Sequence, residues 1–272
     1  MPRPLEQTLP LRHVLALGLM HGPAELLPIS SSGHTTLVPW LLGWPYPELD
    51  PALRKSVEVA LHAGTAAGLL IALRHEVADA GRGFDGRRAI LIAGSFLPPA
   101  IIGYTLEGPI ERRFGTPASI AAGLLAGSAV MAICDQLGAQ QRERDDAGSL
   151  DALLLGLAQA AALMPGTSRG AMTISAMRAR GFTRPAASAL SRHVALPVIL
   201  GASALKGVRL TQKGIAPGAA PRLALGALAA AASTLLAARL LPIERAGSLL
   251  PYAAYRSGLA AITLRRLRRS AA

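Results

Sequence analysis

The chain has 272 residues, 51% of them hydrophobic and only 16% charged, with a formal net charge of +12. Soluble domains carry about 25% charged residues, and a soluble Ala-rich bundle needs regular charged faces that the apolar runs here lack, so the composition points to helices in lipid. The basic excess does not indicate nucleic acid: Arg and Lys fall between apolar runs and in the tail (Arg265, Arg266, Arg268, Arg269), as membrane-flanking charge does, and not along one face with interleaved aromatics. The single Cys134 permits no internal disulfide. No cleavable signal peptide is expected, because the first ten residues hold prolines and Glu6 and the first apolar run contains a polar motif.

A bilayer core takes roughly 20 apolar residues per helix. In chain order, the first apolar segment, Leu11–Gly43, is broken midway by Pro, Gly and hydroxyl residues and predicts two short legs around a bend. Spans are expected at Leu53–Leu73, Ala89–Leu106 and Pro117–Leu137, joined by charged loops such as Arg74-His-Glu and Glu111-Arg-Arg. A second broken segment, Leu153–Arg180, is followed by spans at Pro185–Leu205, Pro221–Leu241 and Ser248–Leu267. Non-helical backbone at membrane depth is tolerated only where protein buries it or a wet cavity adjoins it, so both broken segments read as re-entrant hairpins.

The broken segments resemble each other. Leu17-Gly-Leu-Met-His21 matches Leu155-Gly-Leu-Ala-Gln159, and Pro28-Ile-Ser-Ser matches Pro165-Gly-Thr-Ser, with a one-residue length difference between the two matches. Three spans separate the hairpins, so the second is entered from the opposite face, as in an inverted repeat. The expected fold is therefore an all-α integral membrane protein, with about six transmembrane helices and two re-entrant helical hairpins. It forms a single domain over residues 1–272, with one half at 11–138 (re-entrant 11–43) and the other at 150–268 (re-entrant 153–180).

The two bends carry groups that are costly at membrane depth and that default to function there. Ser30, Ser31 and Ser32 with Gly33 in the first bend, and Thr167 and Ser168 in the second, offer hydroxyls and N–H groups to an anion. Arg169 adds a guanidinium fork suited to phosphate. Glu25 is a general base or metal ligand, and His34 an acid, base or nucleophile. Taken singly, these residues read as helix caps, a snorkelling Arg or a buried Glu–Arg pair. Together in two matching breaks they read as a phosphate site. The attacking group is left open among a Ser hydroxyl, His34 and water.

The motifs His21-Gly-Pro-Ala-Glu25-Leu-Leu-Pro-Ile-Ser-Ser-Ser-Gly-His34 and Pro165-Gly-Thr-Ser-Arg169-Gly-Ala-Met-Thr173 resemble the two signatures of the undecaprenyl-pyrophosphate phosphatases, the bacitracin-resistance membrane proteins. Weaker echoes are Val57-Glu-Val-Ala-Leu-His-Ala-Gly64, Ala195-Leu-Pro-Val-Ile-Leu-Gly201 and Pro251-Tyr-Ala-Ala-Tyr-Arg256, so the similarity covers nearly the whole chain. The resemblance implies a multi-pass protein of the bacterial plasma membrane. Its implied activity is hydrolysis of undecaprenyl diphosphate to the monophosphate carrier lipid of cell-wall synthesis, with Mg²⁺ or Ca²⁺ as cofactor. On it, Glu25, His34, Ser31 and Arg169 are the catalytic candidates. Ser30, Ser31, Ser32, Thr167, Ser168 and Arg169 hold phosphate, and Glu25 with His21 holds metal. His62, Gln159, Glu58 and Arg256 stand behind them.

Expected partners are the polyprenyl diphosphate, the bilayer and a second copy of the chain as a homodimer, with no nucleic acid. Three positions depart from the pattern: His21 replaces an acidic or Gln residue, His62 a Gln, and Gly170 a Ser. Hard cations prefer oxygen ligands, so His21 and His62 read as a site for a softer metal such as Zn²⁺, or as proton-transfer groups. Arg192 reads as structural, paired with Glu58 or placed near the membrane interface, over the alternative of a phosphate contact. Asp135 reads as a residue at a span end. The rival function is a flippase that moves the lipid phosphate without hydrolysis, and a further one is a silent binding protein.

Overall fold

The computed structural model describes residues 10–46, 48–82, 85–137, 140–213, 218–241, 243 and 246–271; the first nine residues and the last fall outside it. Helices account for nearly all of the described chain: α1 Leu11–Leu26, α2 Ser31–Leu42, α3 Pro51–Ala72, α4 Arg74–Arg82, α5 Gly86–Phe114, α6 Pro117–Gln136, α7 Ser149–Ala161, α8 Arg169–Ala179, α9 Arg184–Lys213, α10 Ala220–Leu240 and α11 Leu250–Ala271. Local chemistry sets several starts. Asp50 accepts from the Ala52 and Leu53 N–H groups to cap α3, and Thr116 and Ser119 form a reciprocal cap ahead of Pro117 at the head of α6.

Both broken segments are two legs around a bend, α1–α2 and α7–α8. Two expected loops are helical instead: Arg74-His-Glu opens α4, and Glu111-Arg-Arg forms the last turn of α5. Glu111-Arg-Arg holds no Gly or Pro, so α5 runs on through these charges to its cap at Gly115. Among the described residues, four helices (α5, α6, α9 and α10) are long and apolar enough to cross a bilayer, making this a multi-pass membrane protein. The other two expected spans, α3 and α11, have 22 residues each but carry charge, Arg54, Lys55 and Glu58 on the first and Arg256 with the tail arginines on the second.

Helices pack through small residues, as they do in lipid where apolar side chains gain little by meeting each other. Gly18 and Gly22 of α1 lie against Gly226 and Ser233–Thr234 of α10, and Gly64 and Gly68 of α3 meet Ala227 and Ala231 on the same helix. Gly156 of α7 lies on Gly94 and Pro98 of α5. Thus α1 and α3 pack on α10, α7 on α5, and α6 on α11, with the chain's early and late helices interleaved. Large apolar side chains such as Ile101, Ile133, Leu228 and Leu240 point outward, a surface that suits acyl chains.

One buried cation ties the bends together. Arg256 of α11 is fully buried and donates to Pro28 O (2.9 Å) in the first bend and to Gly166 O (3.1 Å) and Thr167 O (2.9 Å) in the second. It also donates to Leu124 O (3.3 Å) and Ser128 Oγ (3.2 Å) of α6. All five acceptors are neutral oxygens. Gly127 leaves room for the guanidinium, since a Cβ there would fall on Arg256 Nη2. Asp135 lies at the end of its span, as expected, and there forms a second buried hub. Its carboxylate accepts from Arg178 Nε (3.1 Å), Arg184 Nε (2.7 Å) and the Leu249 N–H (3.0 Å), fastening the end of α6 to α8, α9 and α11. Nearby in the first turn of α7, outside the spans, burial alone would raise the Asp151 carboxyl, but hydrogen bonds from Arg142, Arg180 and the Gly148 N–H hold it at about 2.

Arg256→Met is expected to cost about 3 kcal/mol or more, because buried acceptors left without a donor each cost about 1–3 kcal/mol. Gly64→Ala, whose methyl would strike Ala227 O, is expected to cost about 1–3 kcal/mol through overpacking. Thermal unfolding in detergent checks both, and a wild-type midpoint in either variant would contradict the packing described.

Candidate active site

The bends share one unusual backbone feature. Ser30 (φ 77°) and Ser168 (φ 72°) are the two non-glycine residues with positive φ among the described residues. Left-handed geometry is disfavoured for a residue with a Cβ and persists only where the surroundings enforce it, commonly at functional sites. Here each Ser caps the helix that follows, Ser30 Oγ accepting from Gly33 N–H (3.2 Å) and Ser168 Oγ from Ala171 N–H (3.3 Å). Ser30 and Ser168 stand at the same separation as Leu17 and Leu155. The matched hydroxyls are therefore these two caps, with no length difference, and the expected pairing through the prolines is off by one residue. The residue after each cap, Ser31 or Arg169, opens its helix with its side chain at the positive N-terminal end.

Glu25, near the end of α1, stands between those two residues. Ser31 Oγ donates to Glu25 Oε2 at 2.5 Å, and Arg169 Nη2 donates to Glu25 Oε1 at 3.3 Å. Glu25 and Arg169 are 144 residues apart in sequence, and their side chains are only 10% and 18% exposed. On the other side of Glu25 are two imidazoles. His21, one helical turn before it, is buried and meets His62 of α3 edge to face with ring centroids 4.6 Å apart. One ligand atom from each of His21, Glu25 and His62 lies within 4.8 Å of the others, so these three can hold a metal ion. Thr65, which the sequence reading did not single out, orients His21 through a 2.8 Å contact to Nδ1. The i+3 placement of His62 and Thr65 on one face of α3 was the available signal.

Other candidates make their contacts elsewhere in the fold. His34 donates from Nδ1 to Ser30 O (2.7 Å), so its Nε2 accepts from the Tyr255 hydroxyl (2.7 Å); both nitrogens are engaged within the fold. Ser32 Oγ is 3.4 Å from Ser30 Oγ, and the Thr167 hydroxyl donates to Met164 O (2.7 Å). Gln159 donates to Ser95 O (2.9 Å) and so joins α7 to α5. Glu58 gives its backbone oxygen to His62 Nδ1 (2.8 Å), while its carboxylate lies 3.6 Å from Lys55. Arg192, with Ser188 and Ser191, lines a cleft that Glu25 and Arg169 also line. Leu69, Ile174 and Leu196 line the same cleft, so charged and apolar side chains share its lining. At Gly170 an added Cβ would meet Pro28 at 3.7 Å, an ordinary contact, so packing does not explain the glycine.

With this geometry in view, comparisons with known proteins point one way. The family described as bacitracin resistance protein BacA matches residues 14–262. Similar curated proteins include the undecaprenyl-diphosphatase of Geobacter sulfurreducens, 40% identical over 258 residues and covering 90% of this chain and 93% of that protein. The undecaprenyl-diphosphatases of Geobacter metallireducens (36% identical, 90% of this chain and 93% of that protein) and Moorella thermoacetica (34%, 91% and 94%) are similar over the same extent. The chain belongs to the bacitracin resistance protein BacA family.

Proposed function

We propose that this protein is a membrane phosphatase that hydrolyses undecaprenyl diphosphate to the monophosphate in the bacterial plasma membrane. The observation that carries the reading is the contact of Ser31, Glu25 and Arg169: a hydroxyl, a carboxylate that accepts its proton, and a phosphate-binding fork, gathered from both bends. The names of the relatives agree with it. The halves 11–138 and 150–268 are read as an inverted repeat, supported by the paired left-handed serines and the interleaved helices.

The geometry suggests the following course. The diphosphate enters the cleft with its prenyl chain along Leu69, Ile174 and Leu196 and its terminal phosphate at the N-terminal ends of α2 and α8. Phosphate oxygens take over the Arg169 fork, freeing one side of Glu25. Ser31 Oγ attacks the terminal phosphorus as Glu25 Oε2 takes its proton, and the P–O bond to the inner phosphate breaks, releasing the prenyl monophosphate with that electron pair. Glu25 passes that proton to the departing prenyl phosphate and is again a carboxylate. It then deprotonates a water that attacks the phosphoserine, and returns this second proton to Ser31 Oγ as the Oγ–P bond breaks, releasing inorganic phosphate and restoring Ser31. Arg169 and the buried positive charge of Arg256 stabilise the charge that builds up on the phosphoryl oxygens. His34, engaged with Tyr255, holds α2 to α11 in this account.

The Mg²⁺ or Ca²⁺ of the resemblance fits this chain poorly. Such ions take oxygen ligands, and the cluster beside Glu25 offers two imidazoles to one carboxylate. A flippase that leaves the lipid intact has no use for a Ser hydroxyl 2.5 Å from a carboxylate, and no observation favours it.

Inorganic phosphate released from farnesyl or undecaprenyl diphosphate in detergent tests the proposal. Ser31→Ala and Glu25→Gln are expected to lower kcat by about 10²–10⁴-fold, and Arg169→Ala by about 10²–10³-fold. Wild-type turnover in Glu25→Gln or Arg169→Ala would remove the assignment. Acid quench during turnover should leave phosphate on the peptide containing Ser31, and an unlabelled peptide would shift the attack to water.

A further inference from the structure

The two histidines that depart from the family's pattern lie far apart in sequence and together in space. His21 is on α1 and His62 on α3, yet their rings meet at 4.6 Å beside Glu25. Each ring has one nitrogen committed to the fold. His62 Nδ1 faces the Glu58 carbonyl at 2.8 Å, and a carbonyl only accepts, so Nδ1 carries the proton and the neutral ring keeps a lone pair on Nε2. His21 Nδ1 meets Thr65 Oγ1 at 2.8 Å, and its Nε2 is buried with no hydrogen-bond partner among the described residues. His21 is only 1% exposed, so that nitrogen pays for desolvation without a compensating contact. An edge-to-face ring pair needs no such orphaned atom. A metal ligand does.

The arrangement also has the outer contacts of a metal site. Ligating imidazoles nearly always have their second nitrogen fixed by a carbonyl, carboxylate or water, which sets the tautomer and aims the ring. A backbone carbonyl does this for His62, and a hydroxyl does it for His21. Glu25 supplies the third donor. Its two oxygens already accept from Ser31 and Arg169, but each carboxylate oxygen has a further lone pair.

We propose that His21, His62 and Glu25 form a nitrogen-rich site for a borderline divalent transition metal such as Zn²⁺, in place of an oxygen-bound Mg²⁺ or Ca²⁺. Two imidazoles and one carboxylate match the donors of catalytic zinc sites that keep a further position open, and imidazole favours transition metals over hard cations. With one negative and two neutral ligands, the bound ion leaves a net positive site beside Arg169, suited to a diphosphate. The inference deepens the phosphatase reading and rests on it for the site's place in catalysis, but its test reads metal binding without substrate.

The full-length protein, purified in detergent and stripped with a chelator, is titrated with Co²⁺ and separately dialysed against Zn²⁺ in a large excess of Mg²⁺. The expected result is one Co²⁺ per chain with visible absorption bands of an imidazole-ligated ion, and one Zn²⁺ retained against Mg²⁺. His62→Gln and His21→Glu, each checked for a wild-type melting profile, should weaken Zn²⁺ binding by at least about tenfold, since even loss of an outer contact costs that much. Absence of the Co²⁺ bands in the wild-type protein, or displacement of Zn²⁺ by Mg²⁺, would overturn the site without any variant being needed. Unchanged Zn²⁺ affinity in folded His62→Gln would also overturn it. Zinc retention without phosphate release would leave the site standing and sink the phosphatase reading. Phosphate release on Mg²⁺ alone with no zinc retained would do the reverse.

Discussion

The site depends on a single buried guanidinium. Arg256 reaches from α11 into the place where the two broken segments meet and donates to backbone oxygens of both, while α6 supplies its remaining acceptors. Irregular backbone within a membrane leaves carbonyls without helical partners, and each is costly in a medium that has no water to offer. One planar fork with five donors answers several of them at once and fixes the distance between the bends. Lysine has no such geometry. The left-handed serines follow from the same constraint, since the clamp and the caps together hold Ser30 and Ser168 where an unconstrained residue would not stay.

From that constraint the chemistry follows. Each bend ends on a serine cap, so the next residue opens a helix with its side chain at the positive end. In the first bend that residue is Ser31, in the second Arg169. The same structural position thus carries a hydroxyl on one side and a cation on the other, and Glu25 bridges them. In the proposed reaction these unlike residues divide the roles of attack and charge stabilisation. The surroundings of Arg256 are neutral, with no carboxylate among its five partners.

Much of this was legible in the chain. Interruptions of apolar runs by Pro, Gly and Ser marked both bends, and the costliness of Glu25 and Arg169 in lipid marked them as partners before their contact was known. Length and charge were poorer guides at helix ends. The Glu111-Arg-Arg stretch extends α5 because charge alone does not stop a helix, and α4 forms over a stretch read as a loop. Proline is the more conspicuous residue of each bend, but the register between the bends is set by the hydroxyl that caps the helix. Asp135 and Thr65 were passed over or undervalued, since their importance lies in groups brought to them from distant helices. The contacts of the His34 ring with Ser30 O and the Tyr255 hydroxyl join residues that no motif places together.

The central claim is that two bends fixed by Arg256 make one diphosphate site. A structure of the protein in lipid with a methylene-bridged prenyl diphosphonate, which cannot be cleaved, tests it most directly. The account predicts the terminal phosphorus between Ser31 and Arg169, with oxygens in contact with both. A headgroup bound against only one bend, or resting outside the cleft while Glu25 and Arg169 stay paired, would contradict it.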